Sequence, residues 1–333
     1  MSLIIAPKEK KVKSFWQIQK PLRLVFFGTP DFARIILKHL LKVPQYEAAA
    51  VVTTPDKPKN RGQKPSASPV KNLAEQNKIR ILQPAKAQDK NFIRQLKEIN
   101  ADVFLTAAYG QILPQNILNL PRFGALNVHA SLLPKYRGAS PIQAAILNGD
   151  EQTGVSVILM TEQMDAGPII LQKEIKINTS ETGATLHDRL AVLGAQAAQE
   201  AIDLWIVGKD ISAALNAQIA RPQDETKATY TKKITKQDGQ IDWQKSATEI
   251  ERQIRAFYSW PGSFFSANDR IFKIIEAEIL PEQKTAGRLF LTKNNRPAVG
   301  CGQDALLIKK IQPAGGRILT GQEFVNGYKN LFG

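Results

Sequence analysis

From Leu22 onward the sequence alternates between short apolar runs and segments with helical periodicity. Leu22 to Phe27 is an apolar run that ends at a turn, and the apolar residues from Phe32 to Leu40 then recur at the spacing of a helix. The alternation continues to an amphipathic segment from about Thr182 to Ile206. Strands that alternate with helices form a mostly parallel sheet covered on both faces. The pattern therefore predicts an α/β fold for this part of the chain.

The chain changes character near Gly208. Residues 209–229 are polar and lack sustained periodicity, so we interpret them as an interdomain linker. One helix-like block from Ala247 to Phe257 follows, and then short β-rich runs separated by Gly, Pro and Asn. The runs are Ser263–Ala267, Arg270–Ala277, Ala286–Leu291, Ala298–Cys301 and Ala305–Ile311. Such closely spaced strands predict a small OB-like β-barrel over residues 230–333.

The charge balance suggests a class of partner. The 333 residues include 45 Lys and Arg against 30 Asp and Glu, a net charge of +15, which favours a polyanionic ligand such as RNA. The alternative is a surface that is basic only for solubility. Residues 1–20 are Lys-rich without the features of a secretory signal, and we expect them to form a disordered extension before a domain at 21–208.

The remaining composition restricts the location and the possible metal sites. The single cysteine, Cys301, cannot form an intramolecular disulfide, and three histidines offer no Cys/His metal cluster. No apolar run in the sequence approaches the roughly 20 residues of a membrane span. We therefore predict a cytoplasmic protein with no metal and no membrane partner.

An amide, an imidazole and a carboxylate stand near the ends of predicted strands. Asn127 and His129 are two residues apart on a strand, so their side chains face the same side, and Asp165 follows a later strand. In open α/β sheets the strand ends carry the chemistry. The alternative for an isolated pair of this kind is a turn cap and a core histidine.

The segments around these residues resemble the folate-dependent formyltransferase family. The resemblance lies in Asn127–Gly138, in Met164–Pro168, in Phe27–Pro30 and in the Gly149-Asp150 and Thr153–Val155 motifs. It implies a Rossmann-like domain in which Asn127, His129 and Asp165 form the catalytic group. It also implies 10-formyltetrahydrofolate as the formyl donor. Pro30 and Phe32 replace the later glycines of a dinucleotide fingerprint, so no nicotinamide cofactor is expected.

The reaction implied by this family suits these residue types. An amine attacks the formyl carbon, and a preorganised donor such as the Asn127 amide can stabilise the resulting oxyanion. His129 can donate to the same oxygen or protonate the departing N10. Asp165 can orient the imidazole and help to remove a proton from the attacking ammonium. No covalent intermediate is needed.

Two segments are candidates for the folate pocket. Resemblance to the family assigns Ser131, Leu132, Leu133 and Pro134 to tetrahydrofolate contact, since leucines pack well on a flat ring. Tyr109 and Gly110 end the preceding strand at the same edge of the sheet. The alternative is that both leucines are only core residues.

A long basic connection follows the second strand, between Thr54 and Pro65. It exceeds the usual ~2 to 6 residues and contains the cations and glycine that could grip phosphates. These candidate tRNA contacts are Lys57, Lys59, Arg61, Gly62 and Lys64. In similar enzymes this loop enters the acceptor arm of the tRNA, and the Arg61-Gly62 pair carries the resemblance. The alternative is a mobile, solvated loop.

The C-terminal half separates the possible acceptors. Tyr230, Asp242-Trp243, Trp260–Gly262 and Phe324–Gly327 resemble methionyl-tRNA formyltransferases in order and spacing. The resemblance implies formylation of methionyl initiator tRNA by an enzyme that we expect to be a monomer. Candidate phosphate contacts here are Lys232, Lys233, Arg252 and Arg255. The alternatives are a sugar or other small-molecule amine N-formyltransferase and a non-catalytic RNA-binding protein.

Overall fold

The computed structural model describes residues 20–59, 64–211 and 218–332. The expected N-terminal extension, apart from Lys20, lies outside the described residues. The chain divides into two compact units. The first contains the chain up to Gly138, Thr153–Ile175 and Asp188–Tyr230, and the second contains Ala139–Gln152, Lys176–His187 and Thr231–Gly333. Two short internal segments therefore group with the C-terminal residues, which the sequence did not predict.

A seven-stranded sheet organises the described residues of the first unit. Its order is β10-β9-β7-β6-β1-β2-β5, with parallel pairing from β7 through β6, β1 and β2 to β5 and antiparallel pairing of β7 with β9. The strands of this part of the chain are β1 (Leu22–Gly28), β2 (Tyr46–Val52), β3 (Lys57–Lys59), β4 (Lys64–Ser66), β5 (Ile81–Leu82), β6 (Val103–Ala107), β7 (Ala125–His129), β8 (Arg137–Gly138), β9 (Gln152–Leu159) and β10 (Ile169–Lys176). The predicted α/β fold with a mostly parallel sheet is confirmed.

Helices connect the strands, and the longer ones match the predicted helical periodicity. They are α1 (Asp31–Leu40), α2 (Pro69–Gln76), α3 (Lys90–Ile99), α4 (Gln115–Leu118), α5 (Pro141–Leu147) and α6 (Gly183–Ile211). Asp89 begins α3 because its carboxylate accepts a hydrogen bond from the Phe92 amide at 2.9 Å. The buried face of α3, which includes Phe92 and Leu96, joins one core cluster with Phe27 of β1 and Phe104 of β6. This burial covers one face of the sheet.

Helix α6 corrects one expectation from the sequence. Its stretch Gly183–Gly208 is long and apolar enough to span a membrane by length and composition, so the prediction that no segment approaches this limit is wrong. The reason is its high content of Ala, Leu and Ile, which the core requires. Of its most apolar window, 61% is buried inside the protein, and Trp205 donates to the Phe123 carbonyl at 2.7 Å. These contacts indicate a core helix.

The second unit is built on a curled antiparallel sheet. The order is β12-β13-β16-β15-β14, and β17 pairs with β16. The elements are β11 (Tyr230–Thr231), α7 (Ala247–Ala256), β12 (Ser263–Ala267), β13 (Arg270–Leu280), β14 (Leu289–Leu291), β15 (Pro297–Gly300), β16 (Ala305–Pro313), β17 (Leu319–Thr320) and α8 (Gly321–Gly327). Register shifts around Glu276 in β13 bend the sheet, as β-bulges do. The predicted β-rich C-terminal domain is confirmed as this half-barrel.

An apolar core fills the curl of this sheet. Phe272 of β13, Ile254 of α7 and Phe324 of α8 are buried in one cluster. Helix α8 was not predicted, although its start carries a readable signal. Thr320 and Glu323 form a reciprocal capping box, in which the Thr320 hydroxyl accepts from the Glu323 amide and the Glu323 carboxylate accepts from the Thr320 amide.

Candidate active site

Strand β7 places Asn127 and His129 at the centre of the sheet. Asn127 pairs with Thr106 of β6 and Ile158 of β9, and His129 pairs with Ser156 of β9. Both side chains lie at the carboxyl end of β7, because the strand ends at His129. His129 is 6% exposed, whereas Asn127 is half-buried. The end of this strand thus presents an amide and an imidazole from one rigid element.

The carboxylate of Asp165 lies between these two side chains. Asn127 Nδ2 donates to Asp165 Oδ1 at 3.2 Å, and His129 Nδ1 lies 3.5 Å from Asp165 Oδ2. The backbone amide of Gly138 also donates to Oδ2, at 2.9 Å. Asp165 has a φ of +52°, in the left-handed region that non-glycine residues adopt rarely and at some cost. The three side chains that the sequence nominated therefore converge.

The ring of His129 is held from both sides. Its Nε2 lies 2.9 Å from the carbonyl oxygen of Tyr136. Because a carbonyl can only accept, Nε2 carries a hydrogen and donates it. The other nitrogen, Nδ1, faces Asp165 Oδ2, whereas the Asn127 amide faces Oδ1 of the same carboxylate. Nδ1 is therefore the nitrogen through which this histidine can exchange a proton.

Hydrogen bonds fix the loop that follows β7. Ser131 donates through its hydroxyl to the Lys135 carbonyl at 2.6 Å, and Ser156 donates to the Ser131 carbonyl at 2.7 Å. Leu133 is buried in a small cluster with Ile158 and Ile169. Leu132 is half-buried. The peptide bond between Leu133 and Pro134 is cis. Of the two leucines, Leu132 is the one with a side chain that a ligand could reach.

Tyr109 and Gly110 follow β6 at the same edge of the sheet. Tyr109 is 2% exposed, and its ring meets Phe27 edge-on with 5.5 Å between the centroids. Its hydroxyl has no hydrogen-bond partner among the residues that the structure describes, and burial raises its pKa to about 12. Gly110 is exposed with a φ of +88°. Tyr109 therefore contributes a ring to the wall of the core more than a polar group to a pocket.

The candidate phosphate contacts fall into three groups. Lys57, Lys59 and Lys64 lie on the short antiparallel pair β3 and β4, whereas Arg61 and Gly62 lie outside the described residues. Lys232 and Lys233 are exposed, and the Lys232 ammonium lies 3.0 Å from Asp238. The described parts of the connection after β2 thus pair as two short antiparallel strands.

Two arginines of α7 are tied into the second unit. Arg255 donates to Glu251 at 2.6 Å and to the Glu181 carbonyl at 3.1 Å. The guanidinium of Arg252 lies against Gly149, where a side-chain Cβ would approach it to 2.1 Å. Both are half-buried. Lys232 and Lys233 therefore offer more accessible charge than these arginines.

Sequence reasoning missed two residues beside the site. Gln223 Nε2 donates to the carbonyls of Asp165 and Gly167 at 2.7 and 2.8 Å. Arg137, 1% exposed, donates to Gln223 and to Glu225. Gln223 lies in a polar stretch without periodicity, so no local signal marks it. Arg137 stands inside the Asn127–Gly138 motif, but its burial cannot be read from sequence.

No group of three or more His, Cys, Asp or Glu side chains within residues 20–59, 64–211 and 218–332 has the arrangement of a metal site. The side chains at the end of β7 can donate hydrogen bonds and transfer protons. An amide donor, an imidazole and a carboxylate in mutual contact suit acyl-type transfer through a tetrahedral intermediate.

Known proteins similar to this chain are formyl-transfer enzymes. Residues 22–202 match the Formyl transferase family, and residues 233–329 match the Formyl transferase, C-terminal domain family. The methionyl-tRNA formyltransferase of Thermodesulfovibrio yellowstonii is 42% identical over 307 residues, which cover 92% of this chain and 96% of that protein. The enzyme of the same name from Caldanaerobacter subterraneus is 41% identical over 92% of this chain and 97% of that protein.

Solved structures share the fold at lower identity. HypX from Aquifex aeolicus, in complex with tetrahydrofolic acid, superposes with a TM-score of 0.61 at 13% identity over 94% of this chain. The chain spans 48% of HypX. The N-formyltransferase from Helicobacter canadensis, in complex with folinic acid and dTDP-3-aminofucose, has a TM-score of 0.59 at 21% identity, covering 86% of this chain and 99% of that one.

Proposed function

This chain belongs to the formyl transferase family, and from that premise we infer that it formylates the α-amino group of methionine carried by tRNA. The observation that supports this acceptor most strongly is the similarity to methionyl-tRNA formyltransferases across both halves of the chain, at 42% identity over 92% of its length. The donor that we propose is 10-formyltetrahydrofolate. The tRNA that we propose is the methionyl initiator tRNA, bound through its acceptor arm.

We propose that the Asn127 amide stabilises the charge that develops on the formyl oxygen. The nitrogen of the methionine forms a bond to the formyl carbon, and the carbonyl oxygen becomes an oxyanion. One N–H of Asn127 is directed at Asp165, which leaves the second for this oxygen. A fixed donor in a partly desolvated site is worth far more than the same donor in water.

We propose that Asp165 and His129 move the protons. Asp165 receives a proton from the attacking ammonium, directly or through a water molecule, so that a free amine attacks. When the bond between the formyl carbon and N10 breaks, N10 gains a proton, and His129 supplies it from Nδ1. The attacking nitrogen loses its second proton from the tetrahedral intermediate to solvent, so the products are the formylated amine, tetrahydrofolate and one proton. Nδ1 lies 3.5 Å from Asp165 Oδ2, so a small approach of the two groups would let the first proton pass from Asp165 to His129 between these steps.

The folate site that we propose lies beside this group. Leu132 and the backbone of Ser131, Leu133 and Pro134 contact the flat rings, and Gly110 with the backbone of Tyr109 lies along the same edge of the sheet. The internal hydrogen bonds of this loop support the assignment, because a rigid loop loses little conformational freedom when it binds a ligand.

The tRNA contacts that we propose are basic residues, with one glycine, in both parts of the chain. In the first unit these are Lys57, Lys59, Arg61, Gly62 and Lys64 of the connection after β2. In the second they are Lys232 and Lys233, with Arg252 and Arg255 as further candidates. A net charge of +15 supports binding to a polyanion.

We propose that different ranges of the chain have different roles. Residues 21–208 carry out formyl transfer, 209–229 connect, and 230–333 bind tRNA, with 1–20 as an extension. We propose that the enzyme is a cytoplasmic monomer, and its single free cysteine, Cys301, fits a reducing compartment.

The alternative acceptor, an amino sugar or another small amine, is not favoured. The Helicobacter canadensis enzyme with an amino-sugar ligand shares the fold, but only 21% of the sequence. Residues 233–329 match the family's C-terminal domain, which gives this chain a second module beyond the catalytic one.

The direct test is chemical. Purified protein, formyl-labelled 10-formyltetrahydrofolate and methionyl initiator tRNA should give labelled formylmethionine after hydrolysis of the tRNA ester. Asn127→Ala serves as the matched control and should give little label. Absence of labelled formylmethionine with the unmodified protein would contradict the proposal.

A further inference from the structure

The turn that carries Asp165 is held by a side chain from a distant part of the sequence. Gln223 Nε2 donates to the carbonyl oxygens of Asp165 and Gly167 at 2.7 and 2.8 Å. Two residues away, Arg221 pairs with Ile169 through both backbone hydrogen bonds, at 2.7 and 2.9 Å. The segment after α6 therefore fixes the turn through its backbone, whereas Asn127 contacts the Asp165 side chain.

The orientation of the Gln223 amide is determined by Arg137. The guanidinium of Arg137 donates to Gln223 Oε1 from Nε at 3.1 Å and from a terminal nitrogen at 2.8 Å. Because a guanidinium has no acceptor, the oxygen of the amide must face it. The NH₂ group must then face the two carbonyls, which can only accept. Each hydrogen-bonding group of Gln223 thus has a partner of the correct polarity.

Arg137 is itself anchored. It is 1% exposed, and its terminal nitrogens donate to the two carboxylate oxygens of Glu225 at 2.7 and 2.8 Å. A bidentate pair of this kind has little rotational freedom. The Tyr230 hydroxyl accepts a further bond from Arg137 at 3.2 Å. The chain of contacts runs from a fixed ion pair through Gln223 to the turn.

We propose that Gln223 is a positioning residue for Asp165. With a φ of +52°, Asp165 occupies a sparsely populated backbone region that needs external support, and Gln223 supplies it at the carbonyl of this residue. If the turn relaxes, the carboxylate loses its alignment with Asn127 and His129. The inference rests on the proposed function for its kinetic consequence, although its geometric part is independent of the reaction.

Two isosteric variants test the role in turnover. Gln223→Met keeps the volume and removes both hydrogen-bonding groups, whereas Gln223→Glu keeps the contact with Arg137 and sets a carboxylate oxygen against the two carbonyls. We expect kcat for formyl transfer to fall about 10- to 100-fold in both, because small displacements in an active site have effects of this size. The KM for methionyl-tRNA should stay within about twofold, since Gln223 is not among the proposed substrate contacts. Gln115→Glu, an exposed change on α4, is the matched control and should retain the wild-type kcat.

A second measurement does not depend on the reaction. The sequence has three histidines, so the ring ¹⁵N resonances of His129 are readily separated from those of His39 and His187. In Gln223→Met at constant pH, the His129 resonances should move while the other two stay in place. Unmoved His129 resonances, or a kcat within threefold of wild type in both variants, would overturn the inference. A wild-type protein that formylates no tRNA would refute the proposed function instead, and the His129 resonances would still decide the role of Gln223.

Discussion

At the scale of single residues, the Asp165 carboxylate is the common partner of the proposed catalytic group. It accepts from Asn127 and from the Gly138 amide, and it lies beside His129 Nδ1. Sequence reasoning could nominate Asn127, His129 and Asp165, because their residue types and motif context carry the signal. It could not place Gln223 or assign the two ring nitrogens of His129, because both depend on contacts between segments distant in the sequence.

Removing either β7 side chain should reduce turnover without loosening the tRNA. We expect Asn127→Ala and His129→Ala to lower kcat by about 10²- to 10⁴-fold, the range for losing an oxyanion donor or a general acid. The dissociation constant for methionyl-tRNA should change less than about twofold, because neither residue is a proposed phosphate contact. Steady-state kinetics and filter binding measure the two quantities. Turnover like that of wild type in either variant would remove the proposed chemistry.

Gly167 is required by close approach of the backbone. A Cβ at this position would lie 1.7 Å from the Leu159 carbonyl oxygen, so the turn that carries Asp165 would have to move. We expect Gly167→Ala to lower the free energy of unfolding by about 2 to 4 kcal/mol, within the range for a forced steric clash. Gly327→Ala is the control, since a Cβ there meets nothing within 4 Å. Equal unfolding curves for the two variants in urea would contradict this reason for the glycine.

At the scale of elements, helix α6 and strand β2 meet through a half-buried acid. The Tyr46 hydroxyl donates to Asp203 at 2.7 Å and to the Gln199 carbonyl at 3.2 Å. Burial raises the pKa of Asp203 to about 6 from 3.8, and the hydrogen bond from Tyr46 offsets part of that rise. The folded protein therefore holds a proton here that the unfolded chain releases at lower pH.

The consequence is a stability contribution that is lost as the pH rises. It is fully present below about pH 4 and is lost as the pH passes 6, because the raised pKa belongs to the folded state. Asp203→Asn removes the titration. Relative to wild type, the free energy of unfolding of this variant should rise by about 2 to 3 kcal/mol between pH 4 and pH 8. Urea unfolding at both pH values measures this, with the exposed Glu98→Gln as control, and a constant difference between Asp203→Asn and wild type would contradict it.

Elements with strong apolar periodicity could be predicted from the sequence, and irregular ones could not. Strands such as β1 and β6 and helix α3 match their apolar runs closely, because burial on the sheet dictates those residues. Helix α5, seven residues long, has too few turns to show a period. The stretch after α6 has no pattern at all, yet Arg221 and Gln223 pack on the first unit through specific hydrogen bonds. Polar contacts of this kind leave no period in the sequence.

At the scale of the whole molecule, the chain divides into two compact units, and its C-terminal residues match the family's C-terminal domain. The resemblance to formyltransferases is confirmed by the family matches over residues 22–202 and 233–329. Composition alone could indicate only a polyanionic partner, because a net charge carries no information about the shape of that partner. The acceptor is inferred from the order of motifs in the C-terminal half of the chain. The match of residues 233–329 to the family's C-terminal domain supports that inference.

The choice of acceptor is the most direct test. Formyl transfer from 10-formyltetrahydrofolate should be measured with methionyl initiator tRNA beside methionyl elongator tRNA, uncharged initiator tRNA, free methionine and an amino-sugar nucleotide. We predict that methionyl initiator tRNA is formylated with a kcat/KM at least about 100-fold above that of every other acceptor. The reason is that contacts along the tRNA provide binding energy that small amines lack. Equal or greater kcat/KM with a small amine would contradict it.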